Sequence, residues 1–278
     1  MRIGGAVEKP YSNPDEWYAI VKELGYGAVL APVGADASKA EKEAYLACIK
    51  EHNLVVGEVG VWNNPLSKDE KVRREAIAYC KKQLRHAEEM GANCCVNVAG
   101  SPGPKWDGFC MENYEKDTYA LLVDTVREII DDVKPVKTFY TVEPMPWMVP
   151  TSPEEYLQLI KDVDRKEFAV HLDFTNMINC PERFVKRDAF IEHCFKLLAP
   201  YIKSVHGKDV NMSDTLPCVI EETMPGKGCV DYRKVVKLVE WLGKDATLFV
   251  EHLPDHASYM QAAAYVRNQA QLEGVTLR

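Results

Sequence analysis

Short apolar runs alternate with longer stretches of helical period from one end of the chain to the other. The runs read RIGGAV, GAVLAP, LVVGEVGVW, CCVNVAG, TFYTVEP, FAVHLDF, IKSVHGKD and LFVEHL. Each is apolar nearly throughout rather than at every second position, as a strand covered on both faces requires. Helix signals fill the gaps. Asn13 and Pro14 open one helix, its apolar stripe is Trp17, Ile20, Val21 and Leu24, and Gly25 closes it. Ser152, Pro153 and Glu155 make a capping-box start, Asp231 caps YRKVVKLVEWL, and DHASYMQAAAYVRNQAQLEG closes the chain. Eight strands, each followed by a helix, predict an α/β fold of (β/α)8 TIM-barrel type, one domain over residues 1–278. A doubly wound open sheet is the competing arrangement. It carries fewer strands and a glycine-rich first turn, and RIGGAVEKP has no G-x-G-x-x-G.

A barrel holds its chemistry at the C-terminal ends of its strands. The fifth run ends on Glu143, the sixth on Asp173, the seventh on His206 and the eighth on Glu251. Taken singly, Glu143 reads as a helix cap, Asp173 as an Asx-turn, His206 as a satisfied core histidine and Glu251 as an ion-pair partner. Together they bring three carboxylates and an imidazole to one rim beside a low-dielectric core. Such a cluster is forced to protonate unless a cation compensates it. The expected ligand set is therefore Glu143, Asp173, His206 and Glu251 around one divalent ion. Hard oxygens with one nitrogen suit Mn²⁺ first, with Mg²⁺ and Co²⁺ as alternatives, better than a structural zinc.

Composition narrows the partners. A net charge of −8 and a pI near 5.5 argue against nucleic acid and give no support for an anionic membrane surface. No apolar run approaches the ~20 residues that span a bilayer, and the first residues are too short an apolar stretch for a signal peptide. Nine cysteines without C-x-x-C spacing suit a reducing compartment, so a cytoplasmic protein is expected.

The order Glu, Asp, His, Glu on strands five to eight, with VEPMPW, HLDFTNM, VHGKD, PGKG and FVEHL, resembles the xylose isomerase-like barrel superfamily. Within it the chain resembles the sugar phosphate isomerase/epimerase group, with ketose 3-epimerases, inosose enzymes and the metal subunits of C-glycoside deglycosidases. The resemblance implies that Glu143, Asp173, His206 and Glu251 bind the metal and that Glu143 and Glu251 act as acid and base on opposite faces of a sugar. It implies a metal-dependent isomerase or epimerase of a ketose or oxo-sugar, working through an enediolate. The alternative is a lyase acting by β-elimination on 3-oxo-glycosides, or by dehydration of an inosose. Ketulose 3-epimerases commonly carry histidine where this chain has Asn176, and an arginine after the metal histidine where it offers Lys208. The second and third runs end without the extra histidines of endonuclease-IV-like barrels, so DNA repair is not expected. A metal-binding scaffold, a homo-oligomer or a subunit with a small partner stay open.

The loops supply candidate substrate contacts: Trp62, Trp106 and Trp147 for sugar C–H faces, and Asn97, Asn176 and Lys208 for hydroxyls or an oxyanion. The tryptophans serve equally to pack loop on loop, Asn97 as a buried amide, Asn176 as a turn residue and Lys208 as a partner of Asp209. PGKG is too short for a phosphate cradle and reads as a flexible rim. His171, two residues before Asp173, should share its face one layer deeper and act as a supporting partner. His252 points away from the lumen unless the strand has already ended.

Overall fold

The computed structural model describes residues 1–278. Eight strands lie parallel in one sheet: β1 (Arg2–Gly5), β2 (Ala28–Leu30), β3 (Val55–Gly60), β4 (Cys94–Val98), β5 (Phe139–Glu143), β6 (Phe168–Asp173), β7 (Ile202–Gly207) and, after an inserted hairpin, β10 (Thr247–Val250). They follow one another around the sheet in chain order, and β1 pairs with β10 in register from Arg2 opposite Thr247 to Gly5 opposite Val250. The remaining seam, between β1 and β2, is bridged where Gly27 N–H donates to the Ile3 carbonyl at 2.9 Å. Arg2 reinforces it, donating to the carbonyls of Gly27 and Asn53 and pairing with Asp245. The result is a nearly closed (β/α)8 barrel.

The helices α1 (Pro14–Leu24), α2 (Lys39–Glu51), α3 (Glu70–Met90), α4 (Lys116–Val133), α5 (Pro153–Val163), α6 (Pro181–Val185), α7 (Arg187–Leu198), α8 (Tyr232–Leu242) and α9 (His256–Leu272) cover the outside. The expected caps are in place: Asn13 Oδ1, Ser152 Oγ and Asp231 Oδ1 each accept a first-turn N–H. Gly25 ends α1 in the left-handed region at φ 68°, which costs glycine nothing. Trp17, Ile20, Val21 and Leu24 of α1 are buried on the barrel wall, each contributing about 1.5–3 kcal/mol by leaving water.

Inside, the alternation of the strands sorts side chains. Val170, Leu172 and Val205 face the helices, whereas His171, Asp173, Ser204 and His206 face the lumen. The ladder places His171 beside Ser204 and Asp173 beside His206. Phe249 plugs the lower lumen against Gly4 and Gly57, where a Cβ at either glycine would run into its ring. One element departs from the simple repeat. After β7 the chain forms an antiparallel hairpin, β8 (Asp209–Ser213) and β9 (Val219–Thr223), before α8 begins. PGKG, expected as a flexible rim, is tied down by Asp209, whose carboxylate accepts from the N–H groups of Gly226, Val230 and Val210.

Candidate metal centre

The strand ends converge. Single donor atoms of Glu143, Asp173, His206 and Glu251 all lie within 4.8 Å of one another. Glu143, Asp173 and His206 end on or within β5, β6 and β7, and Glu251 follows directly on β10. His206 Nδ1 is 2.7 Å from Glu251 Oε1 and 3.7 Å from Glu143 Oε2. Asp173 answers both readings of its position at once. Its Oδ1 accepts the Asn176 N–H at 2.9 Å in an Asx-turn, which leaves Oδ2 free to face the cluster.

Three buried atoms here lack an aligned hydrogen bond, Asp173 Oδ2, His206 Nδ1 and Glu251 Oε1, and are met only by ion-pair contacts at 2.7 Å. Buried polar atoms without an aligned hydrogen bond are rare in folded proteins, and these three belong to three of the four expected ligands and crowd one place. The cation that faces them is Lys208. Its Nζ lies 2.7 Å from Asp173 Oδ2, 2.7 Å from Glu251 Oε1, 3.5 Å from Glu222 and 4.0 Å from Glu143, without the alignment of a hydrogen bond to the first two. A buried ammonium stands in where the carboxylates call for positive charge. Three oxygens and a nitrogen so arranged fit a divalent ion.

The electrostatics follow from that crowding. Burial, with Glu143 and Glu251 close by, pushes Asp173 up to about 6 although Lys208 opposes the rise. Burial and Glu251 also act to raise Glu143, but the charges of His206 and Lys208 prevail and hold it below the usual carboxylate range. Glu251 sits well below that range despite its burial, because both cations are adjacent. His206 and Lys208 are held well above their ordinary values against burial by the surrounding acids.

A cavity of about 420 Å³ opens over this cluster, lined by Glu143, His206, Glu251 and His252 and by Trp62 and Trp106. Leu30, Val98 and Met145 add apolar lining, and Phe249 lies at its base. Another cavity, about 400 Å³ between Lys137, Lys203 and Asp245, lies at the opposite end of the barrel, out of reach of the strand-tip acids.

Other candidates sit elsewhere or do something different. Asn97 is fully buried and faces outward, donating to Asn63 Oδ1 and Cys80 Sγ and accepting the Asn63 N–H, so it belongs to the sheet–helix layer and not to the cavity. Trp147 donates its indole N–H to the Asp107 carbonyl at 2.8 Å, loop on loop. Asn176 donates to Glu143 Oε1 at 3.1 Å and to the Pro144 carbonyl, and accepts from Lys208, so it aims two members of the cluster. His252, left-handed at φ 55°, lies past the end of β10 and pairs with Glu222 of the hairpin. His171 sits one layer down, as expected, with its Nε2–H on Glu58 at 3.1 Å.

Glu58 is the buried acid at this cluster that the strand-tip reading missed. It lies mid-strand on β3, buried, and its carboxylate accepts from His171, from His206 Nε2 at 3.1 Å and from the Ser204 hydroxyl. A lone acid inside the apolar run LVVGEVGVW was the available signal.

The architecture defines a class first: a parallel barrel with a buried acid–histidine cluster at its C-terminal mouth. The chain belongs to the xylose isomerase-like TIM barrel family, whose model matches residues 18–269. It is 22% identical over 194 residues to the uncharacterized protein MJ1311 of Methanocaldococcus jannaschii, a match covering 68% of this chain. The match spans only 60% of that relative's length. Among solved structures it is similar to D-psicose 3-epimerase of Clostridium cellulolyticum H10 (14% identity, TM-score 0.72, 99% of this chain and 100% of the other). It is also similar to a xylose isomerase-like barrel protein of Mycobacterium smegmatis in complex with magnesium (16% identity, TM-score 0.66, 94% and 90%). No helix is long and apolar enough to cross a membrane.

Proposed function

We propose that this protein is a divalent-metal-dependent isomerase or epimerase that moves a proton next to the carbonyl of a ketose or oxo-sugar. The observation that carries the reading is the pairing of Glu143 and Glu251, two carboxylates at the floor of one cavity whose oxygens lie within 4.8 Å of His206 Nδ1. Glu143, Asp173, His206 and Glu251 would hold the ion. When bound, it supplies Lewis acidity toward a carbonyl or vicinal hydroxyl.

The protein's own groups do the rest. One glutamate accepts the proton from the carbon beside the carbonyl, and the freed electron pair delocalises onto the carbonyl oxygen. The other glutamate returns a proton from the opposite face. Return to the same carbon is epimerisation, and return to its neighbour is isomerisation. Asn176 keeps Glu143 aimed through its 3.1 Å bond, and Trp62 and Trp106 cover the sugar from the cavity wall. The magnesium-bearing and epimerase relatives support the reading at the level of the fold.

A second reading is favoured by the apolar lining residues Leu30, Val98 and Met145. That surface suits a substrate with an apolar substituent, and a leaving group β to the carbanion would then depart in an elimination. The test is a D₂O exchange assay on Mn²⁺-reconstituted protein with ketoses, 3-oxo-sugars and aryl glycosides of 3-oxo-sugars. Deuterium entering a sugar carbon supports the proposal, and product stereochemistry or a released aglycone separates the two readings. Absence of exchange with every substrate, in protein that binds the metal, defeats it.

A further inference from the structure

We infer that Glu58 is the positioning residue that sets the tautomer of His206 and so turns its Nδ1 into the ligand atom of the centre. The inference rests on the metal reading above, but it concerns a residue on another strand and another layer. Glu58 is 2% exposed and lies below the strand-tip cluster. Its two oxygens are unequally engaged. Oε1 receives the His171 Nε2–H at 3.1 Å and the Ser204 hydroxyl, whereas Oε2 receives only the His206 Nε2–H at 3.1 Å.

A carboxylate accepts and never donates, so each imidazole must present a proton at Nε2. For His206 this leaves Nδ1 as the ring atom a cation can take in place of its proton, and Nδ1 is the atom that faces Glu251 Oε1 at 2.7 Å and Glu143 Oε2 at 3.7 Å. His171 packs edge-on against the His206 ring with centroids 4.0 Å apart, which blocks rotation of the ring. Ligand histidines are commonly fixed by a carboxylate on their other nitrogen, and losing that partner weakens metal binding about 10–100-fold.

Glu58→Gln separates this role from simple core packing, because the amide has one acceptor oxygen and one donor nitrogen. To keep both the Ser204 and the His171 bonds, the amide oxygen must take the Oε1 place. The NH₂ then faces His206 Nε2. Two donors cannot share that contact, so the ring proton moves to Nδ1 and blocks the ligand atom. Ser204→Ala leaves Glu58 Oε2 on His206 and serves as the packing control.

The experiment measures Mn²⁺ affinity by calorimetry for wild type, Glu58→Gln and Ser204→Ala. It also reads the ¹⁵N shifts of His206 in the Mg²⁺-loaded wild type, assigned by the signal lost in His206→Asn. The expected result is a 10–100-fold loss in Glu58→Gln, less than about 3-fold in Ser204→Ala, and a wild-type ring protonated at Nε2 and bare at Nδ1. Wild-type affinity in Glu58→Gln, or equal losses in the two variants, overturns the inference. So does a wild-type ring protonated at Nδ1 with Nε2 bare, a readout that stands even if Glu58→Gln does not fold. A wild type that binds no Mn²⁺ instead refutes the metal reading itself, so the two failures are distinguishable.

Discussion

Lys208 invites the most direct perturbation, because its ammonium occupies the place where the carboxylates need a cation. Lys208→Met keeps the length and apolar stem and removes the charge. At 2.7 Å from both Asp173 Oδ2 and Glu251 Oε1, each pair has a gross Coulomb attraction of about 6 kcal/mol at an effective dielectric of ~20. Most of that offsets the desolvation of buried charge. The measurable quantity is the cost of leaving the acids without their partner, about 3–5 kcal/mol for a buried ion pair broken on one side. For a chain of this length a kcal/mol is worth about 2–3 °C in Tm, so metal-free Lys208→Met should melt about 6–15 °C below wild type.

The sign reverses when metal is added. If a divalent ion is held as proposed, it and the ammonium compete for the same two oxygens, so the variant should bind Mn²⁺ more tightly than wild type and show a larger metal-induced rise in Tm. Thermal melts in EDTA and in a Mn²⁺ titration provide both numbers. A metal-free variant within about 2 °C of wild type would show that Lys208 does not hold the acids together. A metal response equal to or smaller than that of wild type would show that ammonium and ion do not share the site.

Three further outcomes can be measured alongside. Mn²⁺ at about 100 times its Kd should stabilise wild type by about 2.7 kcal/mol, and Asp173→Asn, which removes the charge at Oδ2, should lose most of that response in the same melts. Glu143→Gln and Glu251→Gln should each abolish turnover on whichever substrate shows exchange, with the double variant little worse than either, since groups acting as a unit lose activity non-additively; multiplied losses would speak for independent sites. Glu88 accepts the N–H groups of Val136, Lys137 and Thr138 ahead of β5, and those bonds hold its carboxyl below its ordinary value despite partial burial. Glu88→Gln should therefore cost about 1–2 kcal/mol at neutral pH. Because the folded-state pKa is depressed, that contribution is present above the unperturbed 4.5 and should vanish in acid melts as pH falls through the folded value.

Much of this was legible in the chain because it depends on local period. Eight apolar runs specified the strands, and Asn13, Ser152 and Asp231 marked helix starts from side-chain chemistry that acts within three residues. The four strand-tip residues were readable for the same reason: each stands where an apolar run ends. What local reading missed falls into two kinds. Asn97 was open to parity, since it pairs with Val142, one residue before lumen-facing Glu143, and so must face outward. The hairpin of β8 and β9 has only five-residue strands with much of their surface in solvent, so no strong apolar alternation announces it.

Glu58, which was missed, and the partners of Lys208, which was named as a candidate, belong to the second kind, where no single segment holds the information. An acid amid LVVGEVGVW is costly to bury by itself, and its place makes sense only once β6 and β7 bring His171, Ser204 and His206 to it from more than a hundred residues away. Lys208 likewise reads as a neighbour of Asp209, yet Asp209 turns aside to the PGKG backbone and leaves the ammonium to acids from β6, β9 and the end of β10. Each buried charge was placed by partners on other strands. The strand-tip pattern locates the acid–histidine cluster, whereas partners on other strands determine which nitrogen of His206 faces it and set Lys208 beside it. Those are properties of the closed barrel. If Glu143, Asp173, His206 and Glu251 hold an ion as proposed, altering Glu58 or Lys208 should therefore change metal binding while those four remain in place.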